Sequence, residues 1–307
     1  MELNVNQSYT IVAKVESINT GVHFCNTTVA TIDGEHVNLK LEFEQLNELA
    51  LDKVYQFEAK AIVKIEDELV LKCIKITPVE LVLSDEALEE VLEKFYVYAP
   101  LPMMQIKRGI ESYMHKIDNE ILKKITKAIY KDNEKTFYLH PAATKFHHAY
   151  VGGLSHHTYT MLKMIDPFIH VYPYLNRDLL YAGTILHDMS KIGEISGVDG
   201  EYTKEGLLLG HLVMQSINID RYAKELGFED SEEVLMLKHM IISHHGLLNF
   251  GSPKKPQIGE ALLLWFIDTI DSKFTVLGET LENTQEGQFT QMISVLDKMR
   301  FYKHKIK

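Results

Sequence analysis

The stretch ILHDMSKIGE, residues 185–194, sets His187 and Asp188 side by side at the end of an apolar run, with Lys191 one helical turn on. A buried carboxylate is costly unless it is paired or bound to a metal, so these groups require partners. Comparable groups recur along the chain. In GGLSHHTYTMLKMI, residues 152–165, His157 shares a helical face with Leu154, Met161 and Ile165, whereas His156 lines up with Gly153, Thr160 and Lys163. His157 is therefore the inward member of that pair. LLLGHLVMQSINI places His211 against Leu207, Leu208 and Met214, and EEVLMLKHMIISHHG ends in His244 and His245. EALLLWFIDTIDSKF sets Asp268 beside Leu264 and Ala261, with Asp271 one turn further.

One histidine on an apolar face is ordinarily a hydrogen-bonded core residue. A succession of segments that each deliver His or Asp from an apolar face points instead to metal chemistry. Imidazoles with a few carboxylates suit Mn, Fe, Co, Ni or Zn, whereas Mg and Ca favour oxygen-only shells. Cys25 and Cys73 are the only cysteines, too few for a structural zinc site, so the expectation is an open, catalytic one. Adjacent helical residues differ by about 100° in direction. His244 and His245 would thus serve two neighbouring ions, or one ion and the substrate. Lys191 is expected to hold a substrate phosphate; its other reading is a cation at a helix C-terminus.

Residues 1 to about 80 read as the β part of the chain. Short, β-branched segments at 8–15, 28–32, 36–41, 54–65 and 69–76 predict five strands, with Asp33-Gly34 a hairpin turn between two of them. Five strands in this length suit a small Greek-key barrel of the OB type. The period changes near residue 80, where Ser84 is placed to cap a helix. From there helices separated by Gly and Pro loops run to the end. The fold class is a multidomain β plus α chain, a small β-barrel followed by an all-α module.

Composition bounds the partners. The chain has 307 residues and 32 Lys plus Arg against 43 Asp plus Glu, a net charge of -11, which argues against coating nucleic acid by bulk charge. The N-terminus has no secretory pattern and no apolar run approaches a membrane span. A cytoplasmic protein with no membrane partner is expected.

The order H, HD, H, HH, D, carried by His157, His187 with Asp188, His211, His244 with His245, and Asp268, resembles the HD-domain superfamily of metal-dependent phosphohydrolases. Ser190 stands where many of these proteins carry glycine in HDxGK, and the Gly-Tyr-Pro signature of cyclic-di-GMP phosphodiesterases is missing from residues 198–203. With the β module, PAATKFHHAYVGGLSHHT and ISHHGLLNFGSPKKP, the whole chain resembles the YhaM family of 3'-to-5' exoribonucleases, which join an OB-fold domain to an HD domain.

The resemblance implies an OB-fold nucleic-acid-binding domain over 1–80, a helical linker region over 81–135 and an HD domain over 136–307. It implies release of nucleoside 5'-monophosphates from the 3' end of single-stranded RNA through a metal-activated water, and a homo-oligomer. Asp188 and Lys191 are the expected catalytic residues. Asp188 is expected to bridge two divalent ions, with His157, His187 and Asp268 around one and His211, His244 and His245 around the other. Mn is the first expectation, with Co, Fe or Ni as alternatives, and a one-ion site is the simpler variant. Lys145, His147 and His148, just ahead of the ligand helix, offer a cation and two imidazoles to a 3'-terminal nucleotide. Single-stranded DNA remains a second substrate. A small-nucleotide phosphohydrolase and a non-catalytic nucleic-acid-binding factor are the competing functions.

Overall fold

The computed structural model describes residues 4–63, 68–145, 148–198 and 200–306. The chain divides into two compact units, 1–98 and 99–307.

The first unit is a closed five-stranded barrel of order β1-β2-β3-β5-β4, built from β1 (Ser8–Gly21), β2 (Phe24–Thr31), β3 (His36–Lys40), β4 (Val54–Val63) and β5 (Leu69–Pro78). β1 closes it. Its first half pairs antiparallel with β4, Ser8 opposite Lys60, and its second half with β2, Gly21 opposite Phe24. The register slips between Val15 and Ser17, and a bulge there lets one long strand bend between two neighbours. The parallel pairing of β3 with β5, Leu39 opposite Leu71, completes the ring. This arrangement is consistent with the OB-type barrel expected from the strand pattern.

Alternation along the strands sends Ala13, Val15, Val29, Leu39, Phe57 and Leu71 to the core. Of the barrel aromatics, Tyr55 and Phe57 are buried, Tyr9 packs on the core edge, and Phe24 and Phe43 are exposed. Gly34 takes φ +78° in the β2–β3 turn, as the Asp-Gly signal anticipates. The last two positions of the strand expected over 54–65 lie outside the described residues. After the barrel, α1 (Asp85–Leu92) begins with the Ala87 N–H donating to the Ser84 side chain.

The second unit is helical: α2 (Met103–His115), α3 (Glu120–Phe137), α4 (Gly153–Val171), α5 (Arg177–Leu186), α6 (Lys191–Glu194), α7 (Lys204–Leu226), α8 (Glu232–Ser243) and α9 (Gly259–Glu282). The segment 81–135, read from sequence as an intervening region, is thus shared: α1 lies in the first unit, α2 and α3 in the second. The reason is packing, since α2 lies on α4 and α5, and α3 on α5 and α7.

α5 is the axis of this unit. Every residue from Leu179 to Leu186 is buried, and α2, α3, α4, α8 and α9 all pack against it. A helix apolar on all sides belongs at a core centre. At Gly183 a Cβ would come within 2.5 Å of the Met240 methyl. This close approach of α5 to α8 brings their C-terminal ends, and the histidines there, together. Among the described residues no helix is long and apolar enough to cross a membrane.

Candidate metal centre

α5 ends at Leu186, so His187 sits at its C-cap and Asp188 in the turn before α6. His244 holds the same place at the end of α8. Each donates its Nδ1–H to the carbonyl three residues back, His187 to Thr184 at 2.8 Å and His244 to Ile241 at 2.7 Å. A helix end leaves its last carbonyls without intrahelical partners. The two imidazoles satisfy one carbonyl each, and Nε2 is left as the lone-pair nitrogen facing the centre.

The other two inward histidines are oriented by carboxylates. His157, on α4, donates Nδ1–H to Asp271 on α9 at 2.7 Å. His211, on α7, donates Nδ1–H to Glu194 at 2.8 Å, and its backbone N–H donates to the other Glu194 oxygen at 3.0 Å. Gly210 makes the second bond possible. With φ +73° and ψ 156° it kinks α7, which takes the His211 amide out of the helical ladder. The kink also corrects the expected apolar face: Leu207 and Leu208 are 73% and 72% exposed, because helical periodicity does not carry across residue 210.

Four Nε2 lone pairs therefore converge, and Asp188 stands between them. Its Oδ2 lies 3.3 Å from His187 Nε2 and 3.8 Å from His157 Nε2, and its Oδ1 lies 3.2 Å from His211 Nε2 and 3.5 Å from His244 Nε2. Asp268 on α9 is 3.4 Å from His157 Nε2. His245 packs against His211 and His244, with ring centroids at 5.1 and 4.5 Å. Donor atoms fall within 4.8 Å of one another in the sets His157, His187 and Asp268; His187, Asp188 and His244; and His211, His244 and His245.

These clusters can hold a metal ion, and the donors fit one. The Nε2 atoms of His157 and His187 are 3.3 Å apart, and with both Nδ1 atoms donating elsewhere two lone pairs face each other. Asp188 Oδ1, His211 Nε2 and His244 Nε2 are buried without hydrogen-bond partners. Such atoms are costly unless an ion or water takes them. Nitrogen and oxygen ligands about 2 Å from a common ion stand about 3–4 Å apart, which is the spacing seen here.

The electrostatics agree. Burial alone would raise the Asp188 carboxyl, but His187 and Lys191 hold it well below the usual carboxylate range. Burial would lower His157, yet Asp268 and Asp271 push it up to about 10, so the two carboxylates favour positive charge beside this imidazole. Lys191 Nζ lies 2.7 Å from Asp188 Oδ2, and despite burial that pairing keeps the ammonium charged. A cavity of about 760 Å³ opens on the cluster, with Asp188, Lys191, His211, His245 and Asp268 among its lining residues.

Of the three residues ahead of α4 expected to meet a 3'-terminal nucleotide, His148 is buried. Lys145 is exposed and is not among the cavity-lining residues, and His147 lies outside the described residues. His148 is only 1% exposed. Its Nε2–H donates to Asp271 at 2.7 Å, and its Nδ1 accepts from the Tyr150 hydroxyl at 2.6 Å. The Tyr150 oxygen accepts in turn from His156 Nδ1 at 2.9 Å. His148 therefore has no surface to offer a substrate; it stands behind Asp271 and steadies it. A Cβ on Gly153 would come within 2.0 Å of the His148 carbonyl, so glycine at the start of α4 lets this loop close down. His156, the rejected member of the pair, belongs to the same supporting layer, and burial lowers it to about 4.

Glu194 and Asp271 have no assigned role in the sequence reading, although both stand in the quoted motifs. The signal for Asp271 is its i+3 spacing from Asp268 on a helix, which puts both on one face.

No protein-family model matches the chain. It is 41% identical over 213 residues, 69% of this chain and 68% of that protein, to the 3'-5' exoribonuclease YhaM of Bacillus subtilis (strain 168). It is 42% identical over 213 residues, again 69% and 68%, to that of Bacillus licheniformis, and 40% identical over 210 residues, 68% and 67%, to that of Listeria welshimeri serovar 6b. Identity at this level over two thirds of both partners means that the chain belongs to the YhaM family.

Proposed function

We propose that this chain is a 3'-to-5' exoribonuclease of OB-plus-HD architecture that hydrolyses single-stranded RNA to nucleoside 5'-monophosphates. The observation that carries the reading is Asp188, whose two oxygens each face a separate pair of imidazoles. His157, His187 and Asp268 on one side, and His211, His244 and His245 on the other, would hold two divalent cations, Mn foremost, with Asp188 common to both. Bound there, such ions supply charge for the phosphate oxygens and a water acidic enough to act near neutral pH.

The chain's own groups do the rest. Asp271 and Glu194 lock the tautomer and orientation of His157 and His211, a role that carboxylates commonly play behind metal-bound imidazoles. Lys191 stays charged at the cavity wall and neutralises a non-bridging phosphate oxygen. Asp188 fixes it within a turn, so the cation is positioned before substrate arrives. On the barrel, a groove of about 1040 Å³ has the exposed Phe24 and Lys40 in its lining beside Glu35 and Glu68; the aromatic supports single-strand binding by stacking.

Purified protein with a 5'-labelled single-stranded RNA and Mn tests the reading, beside a His187→Ala/Asp188→Ala variant and a 3'-phosphate-blocked substrate. A ladder shortening from the 3' end, lost in the variant, is expected. Intact RNA across a range of divalent metals would overturn it and leave small nucleotides as the substrates to try.

A further inference from the structure

We infer that the cavity beside the His/Asp cluster seats one 3'-terminal nucleotide, its base stacked on Trp265 without regard to base identity. The inference rests on the exonuclease reading and adds to it a place for the leaving nucleotide.

The cavity lining mixes two kinds of residue: the His/Asp cluster with Lys191 and Lys273, and the apolar side chains of Trp265, Leu247, Ile195 and Val295. Its volume of about 760 Å³ lies within the range of about 300–1,000 Å³ typical of sites for single small ligands. Apolar side chains together with cations and carboxylate-held imidazoles match a nucleotide, which has one flat apolar face and one anionic end.

Trp265 is built as a platform. It is the only tryptophan in the chain, it is half-buried, and its indole rests on Gly246. A Cβ at Gly246 would come within 2.0 Å of the ring, and the positive φ of +73° there suits glycine in any case. The residue that ends the His244-His245 turn is thus also the residue that makes room for the indole, and Phe266 packs beside it with ring centroids 5.1 Å apart. An aromatic held this way loses little freedom when a base stacks on it.

Among the described lining residues there is no Asn, Gln or Arg; of the side chains that pair bidentately with bases only lysine is present, and Lys191 is held by Asp188. The carboxylates are engaged: Glu194 by His211, Asp268 by His157 and Asp188 by Lys191. The Ser272 hydroxyl donates to the Asp268 carbonyl. Thr269, Tyr202 and Lys273 are the other polar groups of the lining; stacking on Trp265 needs none of them, and every base has a face to stack.

The single tryptophan makes the test direct. At fixed Mn, the full-length protein is titrated with AMP, CMP, GMP, UMP and ribose 5-phosphate while tryptophan emission is followed. All four nucleotides are expected to change the emission with affinities within about tenfold of one another, and ribose 5-phosphate, which lacks the base, is expected to leave it unchanged. In parallel, Trp265→Ala should raise KM for RNA at least about fivefold, the lower end of base–aromatic stacking, with Trp265→Phe close to wild type and Mn binding retained in both. If the alanine variant fails to fold, the titration of the unmutated chain decides. Nucleotides that bind without touching the emission, an unchanged KM in Trp265→Ala, or one base preferred more than tenfold would each overturn the inference. Should wild type shorten RNA while these outcomes appear, the pocket assignment falls and the exonuclease stands. Should wild type leave RNA intact with every metal, the exonuclease reading falls and takes this inference with it.

Discussion

Glu194 grips His211 twice, taking its backbone N–H at 3.0 Å and its Nδ1–H at 2.8 Å. One carboxylate thereby sets both the position of the residue and the direction of its free nitrogen. Burial would raise the Glu194 carboxyl, but these bonds hold it below its ordinary value. Glu194→Ala is expected to weaken Mn binding by about 10–100-fold, read by titration calorimetry on chelator-treated protein. Unchanged affinity would show that His211 needs no such support.

The second grip depends on Gly210. Its dihedrals, φ +73° and ψ 156°, belong to a region that is essentially glycine-only, where another residue costs about 1–3 kcal/mol. Gly210→Ala should lower the unfolding free energy by that amount and also weaken Mn binding, because the His211 amide swings away from Glu194. A variant with wild-type stability in urea would mean that α7 runs through residue 210 without the kink.

Asp271 accepts from two histidines at once, His157 and His148, each at 2.7 Å. Both bonds end on the same oxygen, Oδ2, so an asparagine oxygen can accept them but brings no negative charge to hold His157 and His148. Asp271→Asn should therefore lower kcat about tenfold or more and Mn affinity about 10–100-fold, with KM for RNA little changed because Asp271 does not line the cavity. A rise in KM alone would place Asp271 in substrate binding instead.

Ions that bind only the folded chain stabilise it by mass action, about 2.7 kcal/mol at one hundred times Kd. Mn should raise the melting temperature of chelator-treated protein in a concentration-dependent way, and Asp188→Ala should abolish most of the rise. An equal rise in that variant would locate the stabilising ion elsewhere.

His239 gives a pH dependence away from the cluster. The Gln257 backbone N–H donates to its Nε2 at 2.9 Å, which only an unprotonated nitrogen accepts, and burial lowers the imidazole below its ordinary value. The unfolded chain, titrating near about 6.5, then binds more protons than the folded one below that pH. The contribution is intact above about 6.5 and is lost as pH falls toward the lowered native value. Melting temperature should therefore drop less steeply between pH 7 and pH 5 in His239→Ala than in wild type; parallel curves would rule out this histidine as a source.

Local periodicity carries the strands, most of the helices and the inward histidines, because apolar burial repeats along the chain. His157 over His156 follows from which neighbours share a face at i±3 and i±4, and the buried axis α5 follows from an uninterrupted apolar run. Ala13 and Val15 face the barrel core for the equally local reason that strand residues alternate. What each imidazole leans on follows from contacts between elements far apart in the chain. Asp271 and His157 are 114 positions apart and meet at 2.7 Å, and His148 reaches the same carboxylate from a loop whose sequence looks like an exposed binding segment. Exposure of Leu207 and Leu208 was equally hidden, since a single glycine dihedral cancels the periodicity that would bury them. Hydrophobic burial is non-directional and survives as a pattern along the chain, whereas a hydrogen bond depends on ångström-scale placement by helices far apart in sequence.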